Sequence, residues 1–515
     1  MTTSIIKTNR TALAFALLLL VILTLGMVLR LYDLTDQPLE FHPTRQLRGA
    51  LIARGMYYQM LPSVDPETRE TAVSYGESTA RIEPPILERL VAYTYLLTGE
   101  QLWVARLYSI LFWTVGGVFV YLLTRRMLLP PPGAETTPQS GNLVTASALI
   151  SLAYFLVLPF AVQASRTFQP DPLMVMWIIL AAYALFRWSE APNWKWAILS
   201  GIFAGLAVLV KAVAAYLVAG AAVAVVLNTL GLKRFWRSPQ VYAMAALMVS
   251  PTILRYINRG SLTSEYVTNW TVALSHLLLE PGFYIRWLGF VQNLVGLAML
   301  LLGLVGVAIS RPRSRALLLG LWFGYFIYGL TLPYQMFTHS YYHLQLVPII
   351  ALSLAPVAEI ILARVAQERR IWQAFFVGAI LIALVNASWL GIFNQYAEDH
   401  RSEPAYWQAV ASQLPKDGKI IALTQDYGFP LMYYGWRKVD LWPNRGEQKL
   451  MKLRGSEKEF EEYFLKQTEG KSYFLITSFS QFNAELDLKQ YLSEHYPVLA
   501  TEEDYIIFDL RNSLP

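Results

Sequence analysis

The chain has 515 residues, of which 55% are hydrophobic and 15% charged, and its mean hydropathy is +0.37. Soluble domains carry roughly 45–50% apolar and about 25% charged residues, so an ordinary soluble enzyme and a disordered chain are both excluded, and a polytopic membrane protein is the starting point. The net charge of +6 divides unevenly: from Glu398 onward 14 basic residues face 19 acidic ones, a net of −5, which leaves +11 upstream.

The first apolar run, Thr11 to Leu31, follows Lys7 and Arg10 and outlasts a signal-peptide core without a small-residue cleavage site, so it reads as a retained helix. Further apolar spans lie near 101–127, 143–165, 172–188, 195–210, 212–231, 239–256, 288–309, 316–334, 342–362 and 374–393. Each approaches the roughly 20 residues that a bilayer core requires, for a total of about eleven transmembrane helices. The surplus basic residues sit in short loops: Arg125 and Arg126, Arg187 and Lys195, Lys233, Arg234 and Arg237, Arg311, Arg313 and Arg315, then Arg364, Arg369 and Arg370. That bias places the N-terminus in the cytoplasm of a plasma or inner membrane and the C-terminal part outside. It also explains the pI of 9.1 without a nucleic-acid partner. The absence of cysteine excludes disulfides, thiolate metal sites and a Cys nucleophile.

The loops expected outside are the long ones. In the first, residues 32–100, Gln46 to Met60 and Pro84 to Leu97 read as amphipathic helices lying along the interface, with Arg48 and Arg54 on a polar face. A second long outer segment covers 256–287, whereas the inner loops are short except for the proline-rich connector Leu129 to Asn142. From Tyr396 the pattern changes. Ala405 to Leu414 and Lys458 to Gln467 read as helices, and Lys419 to Thr424, Tyr473 to Thr477 and Tyr505 to Leu510 as strands. The expectation is a helical membrane domain over 1–396 followed by a small extracytoplasmic α/β domain over 397–515. That domain shows no Gly-rich phosphate loop, HExxH or Gly-x-Ser-x-Gly pattern.

Ionisable groups beside apolar segments are costly, so their positions carry information. Five clusters fall on the expected outer side: Glu40-Phe-His42-Pro-Thr-Arg45-Gln46, Arg81-Ile-Glu83-Pro-Pro85, Arg166-Thr-Phe-Gln169-Pro-Asp171-Pro172, Lys211, and His339-Ser-Tyr341-Tyr342-His343. Each has a plain structural reading. Asp171-Pro172 is a good helix start, Glu83 before two prolines can turn the chain, Arg45 can meet lipid phosphates, and Lys211 can snorkel. His339 and His343 have a spacing that suits a metal ion, but no acidic third ligand lies nearby in sequence. No cofactor is assigned, and a divalent metal stays an open alternative.

Read together, these pieces resemble the GT-C superfamily of integral-membrane glycosyltransferases, in the branch of protein O-mannosyltransferases, the lipid A aminoarabinose transferase and rhizobial lipopolysaccharide transferases. The resemblance covers residues 10 to 390. It rests on Ala50-Leu-Ile-Ala-Arg54, Glu83-Pro-Pro-Ile-Leu-Glu-Arg-Leu, Leu-Thr-Gly-Glu100, Val104-Ala-Arg-Leu-Tyr-Ser, Ser165-Arg-Thr-Phe-Gln-Pro-Asp171-Pro-Leu, Gly201 to Lys211, and Tyr341-Tyr-His-Leu-Gln-Leu-Val-Pro348. It implies inverting transfer of a sugar from a polyprenyl-phosphate carrier to a lipid, glycan or protein acceptor on the outer face. Many members place an Asp-Glu pair before the Ala-Leu-Ile-Ala-Arg-like helix and a lysine before Pro-Pro; here those positions hold Arg45-Gln46 and Glu83.

The resemblance therefore assigns the acceptor's base or orienting carboxylate to Asp171 first and Glu83 second. It assigns the carrier phosphate to Arg45, helped by Lys211 and Arg81, and the substrate pocket to His42, Gln46, Gln169, His339, Tyr341 and Tyr342. Two other functions stay open. A flippase of lipid-linked sugars would favour inverted repeats and polar groups at span midpoints, and a non-catalytic assembly protein could keep the scaffold without the chemistry.

Overall fold

The computed structural model describes residues 2–80, 82–130, 137–257, 266–415, 417–456 and 459–514, so Arg81 and part of the proline-rich connector lie outside the described residues. The chain divides into two compact units. The first contains Met1–Leu34, Ile82–Ile86 and Ala105–Ala397; the second contains Thr35–Arg81, Leu87–Val104 and Glu398–Pro515.

Among the described residues, seven helices are long and apolar enough to cross a membrane: Arg10–Leu31, Trp103–Leu128, Pro138–Val157, Asp171–Glu190, Ala214–Arg237, Ser340–Val365 and Arg370–Ala397. The other four expected spans are helical but do not each qualify. Trp194–Val210 has 17 residues, and the run near 288–309 is two helices, Pro281–Val295 and Leu297–Ile309, bent by 96°. Pro312–Thr331 loses hydropathy to Arg313 and Arg315, and Pro239–Ile257 carries Pro251 inside it.

Packing in this unit follows the rule for helices in lipid, where close approach of backbones replaces the hydrophobic effect. Ala214–Arg234 lies against Pro312–Thr331, and Trp194–Val210 lies against both Pro239–Ile257 and Asp171–Glu190. At the first crossing a Cβ on Gly320 would collide with the Gly220 carbonyl, and one on Gly220 would collide with that of Gly320.

Pro159 ends the helix Pro138–Val157 and cannot supply an N–H to the Phe155 carbonyl. The indole of Trp113 donates to that oxygen instead, at 3.3 Å, with its ring stacked on Phe155 at 4.2 Å. Nearby, the buried Arg30 guanidinium donates to the carbonyls of Leu156 (2.8 Å), Ala161 (3.3 Å) and Gly26 (2.7 Å) and to Ser165 Oγ (2.6 Å). The break is tolerated because side chains satisfy the backbone groups that it frees.

In the second unit, five strands run in the order β2-β1-β3-β5-β4: β1 Ile420–Leu423, β2 Asp440–Leu441, β3 Tyr473–Ile476, β4 Val498–Thr501 and β5 Ile506–Asp509. β1 pairs in parallel with β2 and β3, while β5 is antiparallel to β3 and β4. β1 and β3 are buried throughout, as central strands are, and Trp442, Phe464, Phe474 and Phe508 fill the core beside them.

The first-loop helices Pro43–Gln59 and Pro66–Ser78 pack on each other in this unit, and Pro43–Gln59 also contacts the helix Phe429–Tyr434. Pro43–Gln59 is thus a buried element, with Leu47, Ala50, Leu51, Ile52 and Ala53 in the interior, and not the interfacial helix that its sequence suggests. Ile86–Thr98 does keep an exposed apolar face of Leu90, Tyr93, Leu96 and Leu97.

Candidate active site

Asp171 opens the helix Asp171–Glu190 directly before Pro172, a place where a carboxylate commonly serves as a cap. Its Oδ1 instead accepts from Lys211 Nζ at 2.8 Å, with both residues almost wholly buried, at 1% and 5% exposure. Oδ2 of Asp171 is buried without a hydrogen-bond partner among the described residues. Lys211 closes the helix Trp194–Val210 in an extended conformation, which turns its ammonium inward toward the carboxylate. It does not snorkel.

Two tyrosine rings line the same ion pair. Lys211 Nζ lies 5.0 Å from the ring centre of Tyr341 and 4.6 Å from that of Tyr342, within cation–π range. Tyr342 in turn stacks on Tyr328 and approaches the Tyr266 hydroxyl at 3.3 Å. His339 meets both rings edge-on, and its Nδ1 is 2.7 Å from Thr338 Oγ1. Gln169, two residues before Asp171, is buried with neither amide atom hydrogen-bonded among the described residues. The first unit thus gathers Asp171, Lys211, Tyr341, Tyr342 and His339 around one buried carboxylate and adds Gln169 on the adjoining turn.

Other candidates take different places. His343, at helical spacing from His339, is buried with its Nδ1 2.6 Å from the Tyr325 hydroxyl and its Nε2 3.0 Å from the Met336 carbonyl. Among the described residues no group of three or more His, Cys, Asp or Glu side chains could hold a metal ion. Glu83 is half-buried at a bend just before the helix Ile86–Thr98. Two further buried arginines escaped the sequence reading of roles. Arg106 and Arg166 both donate to the backbone carbonyl of Asp33, at 3.4 and 2.8 Å, and Arg106 also donates to that of Leu34 at 2.6 Å.

In the second unit, His42 holds a left-handed conformation (φ 47°) at the start of Pro43–Gln59. Gln46 is fully buried and donates to the carbonyls of Pro38 (3.1 Å) and Phe41 (2.8 Å), which fastens its own loop. Arg45 is half-buried one residue before it. His42 supplies no cap, and the Asp426 carboxylate stands at this helix start, taking a hydrogen bond from Thr44 Oγ1 at 2.9 Å and one from the Thr44 backbone. Burial pushes the Asp426 carboxyl above the ordinary aspartate range, against the opposing Thr44 hydrogen bonds.

Arg54 does not sit on a polar face. It is 6% exposed, donates through Nε to Glu100 Oε1 at 2.7 Å and through Nη1 to the Tyr433 carbonyl at 2.5 Å, and lies over the rings of Tyr433 and Trp436. Local sequence held only part of this signal: Arg54 and Glu100 each end a recognisable string, whereas Tyr433 lies 379 residues from Arg54.

The bundle of membrane helices, the long helical first loop and the C-terminal α/β part make up a GT-C-like fold, which the chain shares with solved structures of low sequence identity. Residues 141–255, which contain both Asp171 and Lys211, match the family described as dolichyl-phosphate-mannose-protein mannosyltransferase. Among solved structures, the chain is similar to ArnT from Cupriavidus metallidurans bound to undecaprenyl phosphate, with 15% identity, 95% of this chain and 97% of that one covered, and a TM-score of 0.54. It is also similar to the archaeal oligosaccharyltransferase AglB from Archaeoglobus fulgidus, in complex with an inhibitory peptide and a dolichol-phosphate. That likeness has 13% identity, covers 94% of this chain and 73% of that one, and has a TM-score of 0.55. Comparison with curated proteins by sequence gives no match.

Proposed function

We propose that this protein is a membrane glycosyltransferase that moves a sugar from a polyprenyl-phosphate-linked donor to a lipid, glycan or protein acceptor on the outer face of the membrane. The observation that carries the reading is the buried Asp171–Lys211 pair, with one carboxylate oxygen held by the ammonium and the other without a partner. It lies within the stretch that matches the mannosyltransferase family. A buried acceptor atom left without a hydrogen bond is costly, and a substrate hydroxyl would relieve that cost.

In this reading the acceptor hydroxyl donates to Asp171 Oδ2. As its oxygen attacks the anomeric carbon, the bond from that carbon to the carrier phosphate breaks, the proton passes to the carboxylate, and polyprenyl phosphate leaves with inversion. Lys211 fixes the orientation of Asp171 and contributes positive charge toward the leaving phosphate. Tyr341, Tyr342, His339 and Gln169 would line the sugar and phosphate pocket, and Glu83 is the second candidate for the base. The C-terminal domain, residues 397–515, would hold the acceptor outside the membrane, with the N-terminus in the cytoplasm. That polyprenyl phosphates accompany the ArnT and AglB structures supports the choice of donor.

The test is mass spectrometry of envelope glycans and lipids from cells with the wild-type gene, without it, and with Asp171→Asn. Loss of one sugar modification in both altered strains, with a lipid-linked sugar accumulating on the outer leaflet, is expected. Accumulation on the inner leaflet would replace the transferase reading with a flippase, and an unchanged profile would leave only an assembly role.

A further inference from the structure

The second unit holds a cavity of about 400 Å³ that none of the assigned roles uses. Its wall carries Arg54, Glu100, Gln101, Gln37, Tyr433 and Trp103. This volume is within the range of small-molecule sites. The polar part of the wall is built, not incidental. Glu100 Oε1 accepts from both Arg54 Nε (2.7 Å) and the Tyr433 hydroxyl (2.5 Å), and the Arg54 guanidinium carbon sits 3.6 Å from the centre of the Tyr433 ring and 4.5 Å from that of Trp436. Arg54 is therefore locked on two sides by hydrogen bonds and on its faces by aromatic rings. Burial pushes the Tyr433 phenol well above its ordinary pKa and the Glu100 charge adds to this, so it stays a hydroxyl donor.

From this arrangement we infer that the cavity is a carbohydrate-binding pocket for a neutral sugar of about one or two rings. The charge argument selects a neutral ligand. Arg54 and Glu100 cancel each other within one ion pair, so the wall offers no uncompensated cation to a phosphate and no uncompensated anion to an amine. The remaining groups match a sugar from both sides. The exposed Gln101 amide can both donate and accept, as the hydroxyls on a sugar's rim require. The half-buried ring of Trp103 adds apolar surface to the wall that suits its C–H face. A purely apolar ligand would strip water from the exposed Gln101 amide without replacing its hydrogen bonds, and its binding would be penalised accordingly. The inference uses residues of the second unit alone and does not require the transfer reaction.

Saturation-transfer NMR on the full-length protein in detergent, with methyl α-mannoside, N-acetylglucosamine and lactose as probes, tests it. At least one probe is expected to bind with a Kd on the order of 1 mM. Glu100→Gln and Gln101→Ala should each weaken that binding about tenfold or more. Gln101 is solvent-exposed, so its variant removes a ligand contact with little risk to folding. Asp171→Asn should bind the probe as the wild type does, even where it transfers nothing, so failure of the transfer reading and failure of this one give different results. Absence of binding by all three sugars, displacement of a bound sugar by inorganic phosphate, or unchanged binding in Gln101→Ala with Glu100→Gln folded would overturn the assignment.

Discussion

Lys211 Nζ stands 2.8 Å from Asp171 Oδ1, joining the end of one membrane helix to the start of another across 40 residues of chain, and both side chains are buried. A charged pair in such a place is a poor stabiliser, because desolvation offsets most of the Coulomb attraction, yet removing one partner leaves a charge that nothing compensates. This asymmetry separates structural from chemical roles. Asp171→Ala should lower stability by about 3–5 kcal/mol, whereas the double variant Asp171→Asn with Lys211→Met should recover most of that loss and remain inactive. Thermal unfolding in detergent and a transfer assay on membranes give the two readouts; recovery of activity in the double variant would remove the carboxylate from the mechanism.

Arg30 ties the first membrane helix to the break at Pro159 through three acceptors, Ser165 Oγ and the carbonyls of Leu156 and Ala161. Hydrogen bonds from a charged donor contribute about 1.5–3 kcal/mol each when the acceptor would otherwise stay unsatisfied. Arg30→Met should therefore reduce the yield of monodisperse protein sharply. The double variant with Pro159→Ala should restore part of it, because an N–H returns to the backbone, as size-exclusion profiles would show.

Gly220 and Gly320 face each other where Ala214–Arg234 crosses Pro312–Thr331, and neither has room for a β-carbon. In a bilayer such crossings depend on close backbone packing. Gly320→Leu should prevent folding of the membrane unit, while Gly282→Ala, where a β-carbon meets open space, should be neutral. Detergent-resistant fluorescence of a tagged protein would rank the two.

Hydrogen bonds from Arg511 hold the Asp509 carboxyl at about 2, below the ordinary aspartate value. A depressed pKa in the folded state contributes stability above the unfolded value of about 3.9 and loses it as pH falls toward the folded one. The wild type should thus exceed Asp509→Asn in melting temperature at pH 6, with the gap closing between about pH 4 and pH 2. A gap that does not change with pH would show that the carboxylate's charge contributes nothing.

Much of the C-terminal sheet was legible locally. The runs Lys419 to Thr424, Tyr473 to Thr477 and Tyr505 to Leu510 become β1, β3 and β5, because dense β-branched and aromatic segments mark buried strands. β2 and β4 were not. Asp440–Leu441 has only two residues, and Val498–Thr501, though apolar in composition, is a four-residue edge strand without alternation and mostly exposed. Pro43–Gln59 misled in the opposite direction: its mixed pattern suits a membrane surface equally well, and only contact with Pro66–Ser78 and Phe429–Tyr434 makes it interior.

What the sequence determined by itself was the solvent. Scarce charge and long apolar runs call for a bilayer, and those properties add up residue by residue without reference to any distant partner. It also marked Asp171 and Lys211 as worth attention, but as separate residues, each with a dull alternative as cap or snorkel. Tertiary structure decided their relation. Whether a carboxylate caps its own helix or meets an ammonium 40 residues away depends on how helices cross, and those crossings are set by small residues and backbone contact that hydropathy does not register. The same holds for Arg54 and Tyr433, which meet only because the first loop and the C-terminal segment fold as one unit.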